Sequence, residues 1–151
     1  FQIGAKTTLI FDDFLFDAKN QRMRARVING ALAYDGMKLV PNDDRQFENN
    51  GFALTVRGTK FAGSFGPKSQ LILLEGSLVV KGRSEDKALN VPLQSLIFDQ
   101  SGIGDPFKMS LEEVQEFFAV NGLDISRLID PDFDDGLNKQ KSFCVGSNCG
   151  G

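Results

Sequence analysis

The stretch LTVRGTKFAG, Leu54 to Gly63, alternates through Leu54 and Val56, breaks at Arg57-Gly58-Thr59, and turns apolar again at Phe61. Alternation at period two is a strand signal. A glycine inside such a pattern ends one strand and aims the next, because it accepts positive φ and close backbone approach. Thr59 is β-branched and suits a strand, and its hydroxyl can bond locally. Arg57 has five donors with which to tie carbonyls or an acid such as Glu75. Arg57, Gly58 and Thr59 therefore read as a structural lock and not as a ligand site. Leu74-Glu75-Gly76 reads the same way: a strand, an acid, and a glycine turn into SLVV.

Outward from this stretch, most of the first hundred residues read as short strands: TTLIF, FLF, RMRARV, ALAY, FALTV, QLILL and SLVV. Turn signals separate them: AKNQ (18–21), PNDD (41–44), ENNG (48–51), Gly66-Pro67 and KGRSED (81–86). Many short strands between Gly, Asn and Asp clusters predict an all-β domain. In RMRARV, Met23, Ala25 and Val27 share the core face. Arg22, Arg24 and Arg26 share the other, which reads as a solvated face. Asp12 and Asp13 lie between Phe11 and Phe14. Neighbouring strand residues point to opposite sides, so the two acids are not expected to converge for acid–base work.

After Gly102 the pattern changes. MSLEEVQEFFAVNG carries Ser110 as N-cap with Glu113 three residues on, a capping box. Leu111, Val114, Phe117 and Phe118 form one apolar helical face, and Gly122 follows as a C-terminal stop. LDISRLI adds a short turn capped by Asp124. The predicted organisation is a β domain over 1–98, a helical extension over 99–129 packing on it, and an acidic loop with a cysteine-bearing tail over 130–151.

Composition limits the function. The chain has 151 residues, 41% of them hydrophobic, and a net charge of −3, which suits one globular domain and argues against nucleic acid. The longest apolar run is LILL, Leu71 to Leu74, too short to span a bilayer. There is no histidine, which removes the commonest general base and metal ligand. Fourteen phenylalanines and no tryptophan supply much of the core.

Two features at the C-terminal end carry chemistry of their own. In IDPDFDDGLN, Asp130, Asp132, Asp134 and Asp135 have alternating carboxylate spacing, as calcium loops do. The sixth position is Asp135 and the twelfth Lys141, so this is no EF-hand. An acidic surface loop is the favoured reading, with an irregular calcium site as its competitor. Four residues, Gly146-Ser147 among them, separate Cys144 from Cys149. The two cysteines suit a small disulfide ring in an oxidising compartment, against the alternative of two free thiols.

Taken in order, Ile3-Gly4, Phe14 to Asp17, Asn29-Gly30, Val56 to Phe61 and Leu74-Glu75-Gly76 to Val80 resemble the FecR-like domain of bacterial envelope proteins. The resemblance covers roughly residues 1–82. It implies a compact β roll, or short solenoid-like sandwich, with a C-terminal helix. It carries no catalytic residues at Arg-Gly-Thr. Two departures are Asn49-Asn50-Gly51-Phe52, where the family often has Thr-Pro, and the absence of a leading hairpin. The chain also begins at Phe1 without Met, so it is expected to be a mature product or part of a longer chain.

The resulting expectation is a non-catalytic domain without a cofactor. It would serve as a structural or interaction subunit of a larger envelope assembly that is periplasmic, outer-membrane-associated or extracellular. Other proteins are its expected partners. The alternatives are a ligand- or glycan-binding module, calcium-assisted or not, and the periplasmic sensor of a FecR-type sigma-factor regulator. If the hairpin is missing, the Phe1–Phe11 edge is expected to be covered by upstream residues or by a neighbouring protein.

Overall fold

A computed structural model describes residues 1–129. Ten strands form one open mixed sheet: β1 (Gln2–Ile3), β2 (Thr8–Phe16), β3 (Asn20–Gly36), β4 (Asn42–Asn49), β5 (Phe52–Phe65), β6 (Lys68–Lys81), β7 (Asp86–Leu89), β8 (Gln94–Asp99), β9 (Gly102–Ile103) and β10 (Phe107–Lys108). The one α-helix among the described residues, α1, spans Leu111–Val120, and a 3₁₀ turn covers Ile125–Arg127. The fold is all-β with a C-terminal helix, as the alternation predicts.

Three strands are much longer than the sequence suggests, and each folds over once. In β3 the buried residues are Met23, Ala25 and Val27 at odd positions, then Leu32 and Tyr34 at even ones. In β5 they are Leu54 and Val56, then Phe61 and Phe65; in β6, Leu71 and Leu73, then Leu78 and Val80. Each phase change falls at a glycine with positive φ: Gly30 (109°), Gly58 (58°) and Gly76 (84°). One residue of slip moves every later side chain to the other face. RMRARV and ALAY are thus halves of one strand, as are QLILL and SLVV. The glycines are bends within strands and not turns between them.

The bend lets the chain coil. The first half of β3 pairs with β2 and, in parallel, with β4; its second half pairs with β1 and β5. Asn20 lies beside Asn42 in the parallel register, so one coil of the roll takes 22 residues of chain. The rest of β3 and a short loop serve as the crossover that parallel neighbours require.

β4 corrects the sequence reading. PNDD is not a turn but the start of a strand that runs from Asn42 to Asn49, while ENNG does hold a turn, at Asn50-Gly51. Its inward positions are Asp43, Arg45, Phe47 and Asn49, three of them polar. A strand that buries polar side chains gives no apolar alternation to read.

Apolar residues fill two layers. The interior of the roll holds Met23, Tyr34, Phe47, Leu54, Phe61, Leu73 and Phe98 among others. On the outer face, Ala31, Ala33, Ala62, Ile72 and Leu74 meet Val114, Phe117 and Phe118 of α1. The three alanines leave room for the helix to approach. Ser110 Oγ accepts from Glu113 N at 3.1 Å and Glu113 Oε1 from Ser110 N at 2.8 Å, closing the capping box. Burying the three helix side chains contributes about 1.5 to 3 kcal/mol each before entropy is subtracted. Leu111 is only partly buried.

Candidate functional site

Thr59, and not Arg57, is the centre of the Arg-Gly-Thr lock. Its side chain is fully buried. The hydroxyl oxygen accepts the Arg57 N–H at 3.0 Å, and its proton goes to the Ser77 carbonyl, with the Arg57 carbonyl 3.1 Å away. Arg57 is exposed. The cation nearest Glu75 is Lys60, with Nζ 3.5 Å from the carboxylate, so the Arg57–Glu75 pairing gives way to Lys60–Glu75. A bulge separates Arg57 from Lys60 in the β5–β6 ladder and turns them to different neighbours. Asp130, Asp132, Asp134, Asp135, Cys144 and Cys149 lie outside the described residues.

The edge of the sheet at β2 is built differently from its neighbours. A bulge between Phe11 and Asp13 makes Asp12 an extra residue, so both aspartates reach the same face. Asp12 accepts from Arg26 at 2.7 and 3.0 Å, and Asp13 accepts from Arg22. Arg24 bonds Asp44 on β4 at 2.7 and 3.1 Å. The three arginines of RMRARV are therefore one half of a charge ladder across β2, β3 and β4. Hydrogen bonds from Arg26, Arg22 and Arg24 hold the Asp12, Asp13 and Asp44 carboxyls below the usual aspartate value. The expectation that Asp12 and Asp13 face opposite ways fails because the bulge adds a residue between the two faces.

The same bulge keeps Phe11, Phe14 and Phe16 on the interior side. Their register partners are Ala25, Met23 and Gln21, all buried. Yet Phe11, Phe14 and Phe16 are 47%, 62% and 50% exposed. Across the opening, the inward-facing Phe1 and Ile3 of the first segment are 49% and 52% exposed. Among the described residues the roll is thus uncovered on one side, and the aromatic layer of the core continues beyond it. Phe1 stands 5.8 Å from Phe11 and 4.7 Å from Tyr34, and Phe11 stands 5.7 Å from Phe14, ring centre to ring centre. Among the described residues, five of the twelve phenylalanines, these four and Phe107, are largely outside the core that composition assigned them to.

Between the two sides of this opening lies a slot of about 280 Å³, lined by Phe1, Phe14, Phe16, Met23 and Tyr34. Asp35 and Lys38 stand on its rim, both exposed. Lys38 Nζ sits over the Phe16 ring at 5.1 Å from its centre. At the base is Arg45, almost fully buried, with each of its three nitrogens hydrogen-bonded within the chain. It bonds Asp43 at 2.8 Å through both Nε and Nη2, Tyr34 Oη at 2.8 Å, and the carbonyls of Gly36 and Lys38 at 3.0 and 3.3 Å. Burial opposes the Arg45 charge, but the hydrogen bonds to Asp43 and Tyr34 outweigh it and raise its pKa. Burial likewise pushes the Tyr34 hydroxyl up, against the bond from Arg45. Arg45 directs all three of its nitrogens to acceptors of this chain. Its task is to fix the loop that carries Lys38.

Sequence reasoning found these phenylalanines but assigned them to the core. FLFD after an acidic pair gave no sign that its partners in space are missing.

The arrangement defines an all-β roll with an open, aromatic edge. Two solved structures share the fold: candidate anti-sigma factors from Parabacteroides distasonis ATCC 8503, at 1.65 and 2.50 Å resolution. The TM-scores are 0.60 and 0.56, with 12% and 10% identity. The likeness covers 77% and 78% of this chain but 54% and 62% of those chains. The chain therefore spans less than two thirds of their length. No protein-family model and no curated protein matches the sequence.

Proposed function

We propose that this chain is a non-catalytic protein-interaction domain of a bacterial cell envelope, FecR-like in kind, and that its contact surface is the open edge of the roll. One observation carries the reading. Phe11, Phe14 and Phe16 point to the core side of the sheet, their register partners are buried, and yet they are half exposed or more. Apolar layers that stop short in this way mark association surfaces. An edge strand left bare is also a template for pairing, which natural proteins cover or blunt. The bulge at Asp12 and the arginine ladder hold this edge in one shape. The domain is then one subunit of an assembly in the periplasm, at the outer membrane or outside the cell.

A second reading, the periplasmic sensor part of a sigma-factor regulator, draws support from the fold likeness to the two candidate anti-sigma factors. It uses the same edge, and differs in which protein occupies it.

The experiment is photocrosslinking in the host cell. Benzoylphenylalanine replaces Phe14 in the full-length protein, and Val120, exposed at the end of α1, serves as control. A light-dependent product above the mass of one chain is expected from position 14 and not from position 120. No product at position 14 overturns the proposal.

A further inference from the structure

We infer that the occupant of the open edge is a second copy of this chain, related by a two-fold axis. The inference rests on the reading of that edge as a protein-contact surface.

The area is the first argument. At about 200 Å² for a phenylalanine, Phe1, Phe11, Phe14 and Phe16 at half exposure present roughly 400 Å² of apolar surface, and Ile3 adds to it. A standard interface buries about 800 Å² per partner, and a homodimer makes about two thirds of that apolar. The edge supplies most of what one side of a stable dimer needs. A small ligand would leave most of it in water.

Shape is the second argument. A two-fold interface puts the same patch on both sides, so the patch must carry both a knob and the hole that takes it. Phe14 is the most exposed aromatic residue of the edge, at 62%. The slot of about 280 Å³ lies beside it, and Phe14 forms one wall. The slot is larger than a phenylalanine ring and is lined by rings and a methionine. Two copies facing each other can each place Phe14 in the other's slot.

Charge is the third argument. The rim of the slot carries one exposed anion, Asp35, and one exposed cation, Lys38. The Asp35 carboxylate accepts the Met37 N–H at 3.1 Å through one oxygen. A two-fold arrangement sets Lys38 of each copy against Asp35 of the other. Asp12 and Asp13 of the same edge are paired within the chain, with Arg26 and Arg22. A slot with one exposed charge of each sign on its rim is complementary to itself.

Sedimentation equilibrium of the purified chain tests the inference. The wild type is expected as a dimer. Phe14→Glu is expected to raise the dissociation constant by about a hundredfold or more, as loss of a central aromatic anchor does. Lys38→Glu and Asp35→Lys are each expected to raise it about tenfold. The double variant Lys38→Glu/Asp35→Lys is expected to recover most of the loss, which a merely structural role for either residue would not produce. All three positions are exposed, and an unchanged far-ultraviolet circular dichroism spectrum verifies that each variant is folded.

A wild type that stays monomeric at hundreds of micromolar overturns the inference, as does a dimer that Phe14→Glu leaves intact. The crosslink at position 14 separates the two levels of the argument. A product of twice the chain mass supports the second copy. A product holding only a different protein overturns the second copy and leaves the interaction reading standing. No product removes both.

Discussion

A β-carbon placed on Gly76 would stand 1.8 Å from the carbonyl oxygen of Gly58. Both glycines have positive φ and face each other across the β5–β6 bulge. The first gives way to the second's carbonyl, so the two strands fold over together at one line. The clashing atom is backbone and cannot swing aside.

Gly76→Ala is therefore expected to destabilise the domain by more than about 3 kcal/mol, combining the left-handed conformation with the collision. Gly58→Ala is expected to cost only about 1 to 2 kcal/mol. Its β-carbon would meet nothing nearer than the Leu39 methyls at 3.8 Å. Urea denaturation of both variants checks the order. Equal losses would mean that the close approach at Gly76 is not what fixes the bend.

Thr59→Val keeps the shape of the side chain and removes its hydroxyl. The Arg57 N–H and the Ser77 carbonyl lose their partner, for an expected cost of about 1 to 3 kcal/mol. Arg57→Ala, at an exposed site, should change stability by less than about 0.5 kcal/mol. A larger effect at Arg57 than at Thr59, in the same denaturation assay, would restore the arginine as the lock.

Arg45 and Asp43 form a buried pair. Removing one partner leaves an uncompensated charge, so Asp43→Ala is expected to cost about 3 to 5 kcal/mol. Arg45→Lys keeps the charge but offers a compact ammonium to five acceptor contacts, and is expected to cost about 1 to 3 kcal/mol. Calorimetric melting of the two variants measures both.

The charge ladder sets an acid response. Asp12, Asp13 and Asp44 all titrate below the ordinary 3.8 in the folded chain. The stability they contribute is complete above that ordinary value and is lost as pH falls through the lowered folded values. All three sites are largely exposed, so the effect is local. Amide protection in β2 is expected to drop below about pH 4, while β5 and β6 hold. In Asp12→Asn/Asp13→Asn, β2 protection should already be low at neutral pH and should change little on acidification. Undiminished β2 protection in that variant, read by hydrogen exchange, would show that the ladder does not secure the edge.

Ser110→Ala removes the hydroxyl that accepts the Glu113 N–H and keeps the backbone N–H that donates to Glu113, and is expected to cost about 1 kcal/mol. Because α1 covers only the outer layer, the interior of the roll should keep its near-ultraviolet signal.

Several parts of this protein are local and could be read from the chain itself. Ser110, Glu113 and the spacing of Val114, Phe117 and Phe118 define α1, since caps and a 3.6-residue period act within a few residues. The alternation of Met23, Ala25 and Val27 set the inner face of β3 for the same reason. The glycines at 58 and 76 were legible as sites where the backbone departs from a plain strand.

What the tertiary structure alone decided is long-range. Whether a left-handed glycine ends a strand or bends it depends on whether pairing continues beyond it, and the partners of Gly30, Gly58 and Gly76 are tens of residues away. β4 hid because Asp43, Arg45 and Asn49 are buried by partners that no local pattern contains: Tyr34, the loop carbonyls, Val27 and Ser69. The candidate site hid in the opposite way. Phe11, Phe14 and Phe16 have the alternation of core residues, and the sheet does place them on the core side. Their exposure is set by the absence of an opposing layer among the described residues, and burial is a property of what lies across the fold, which no residue's own type records.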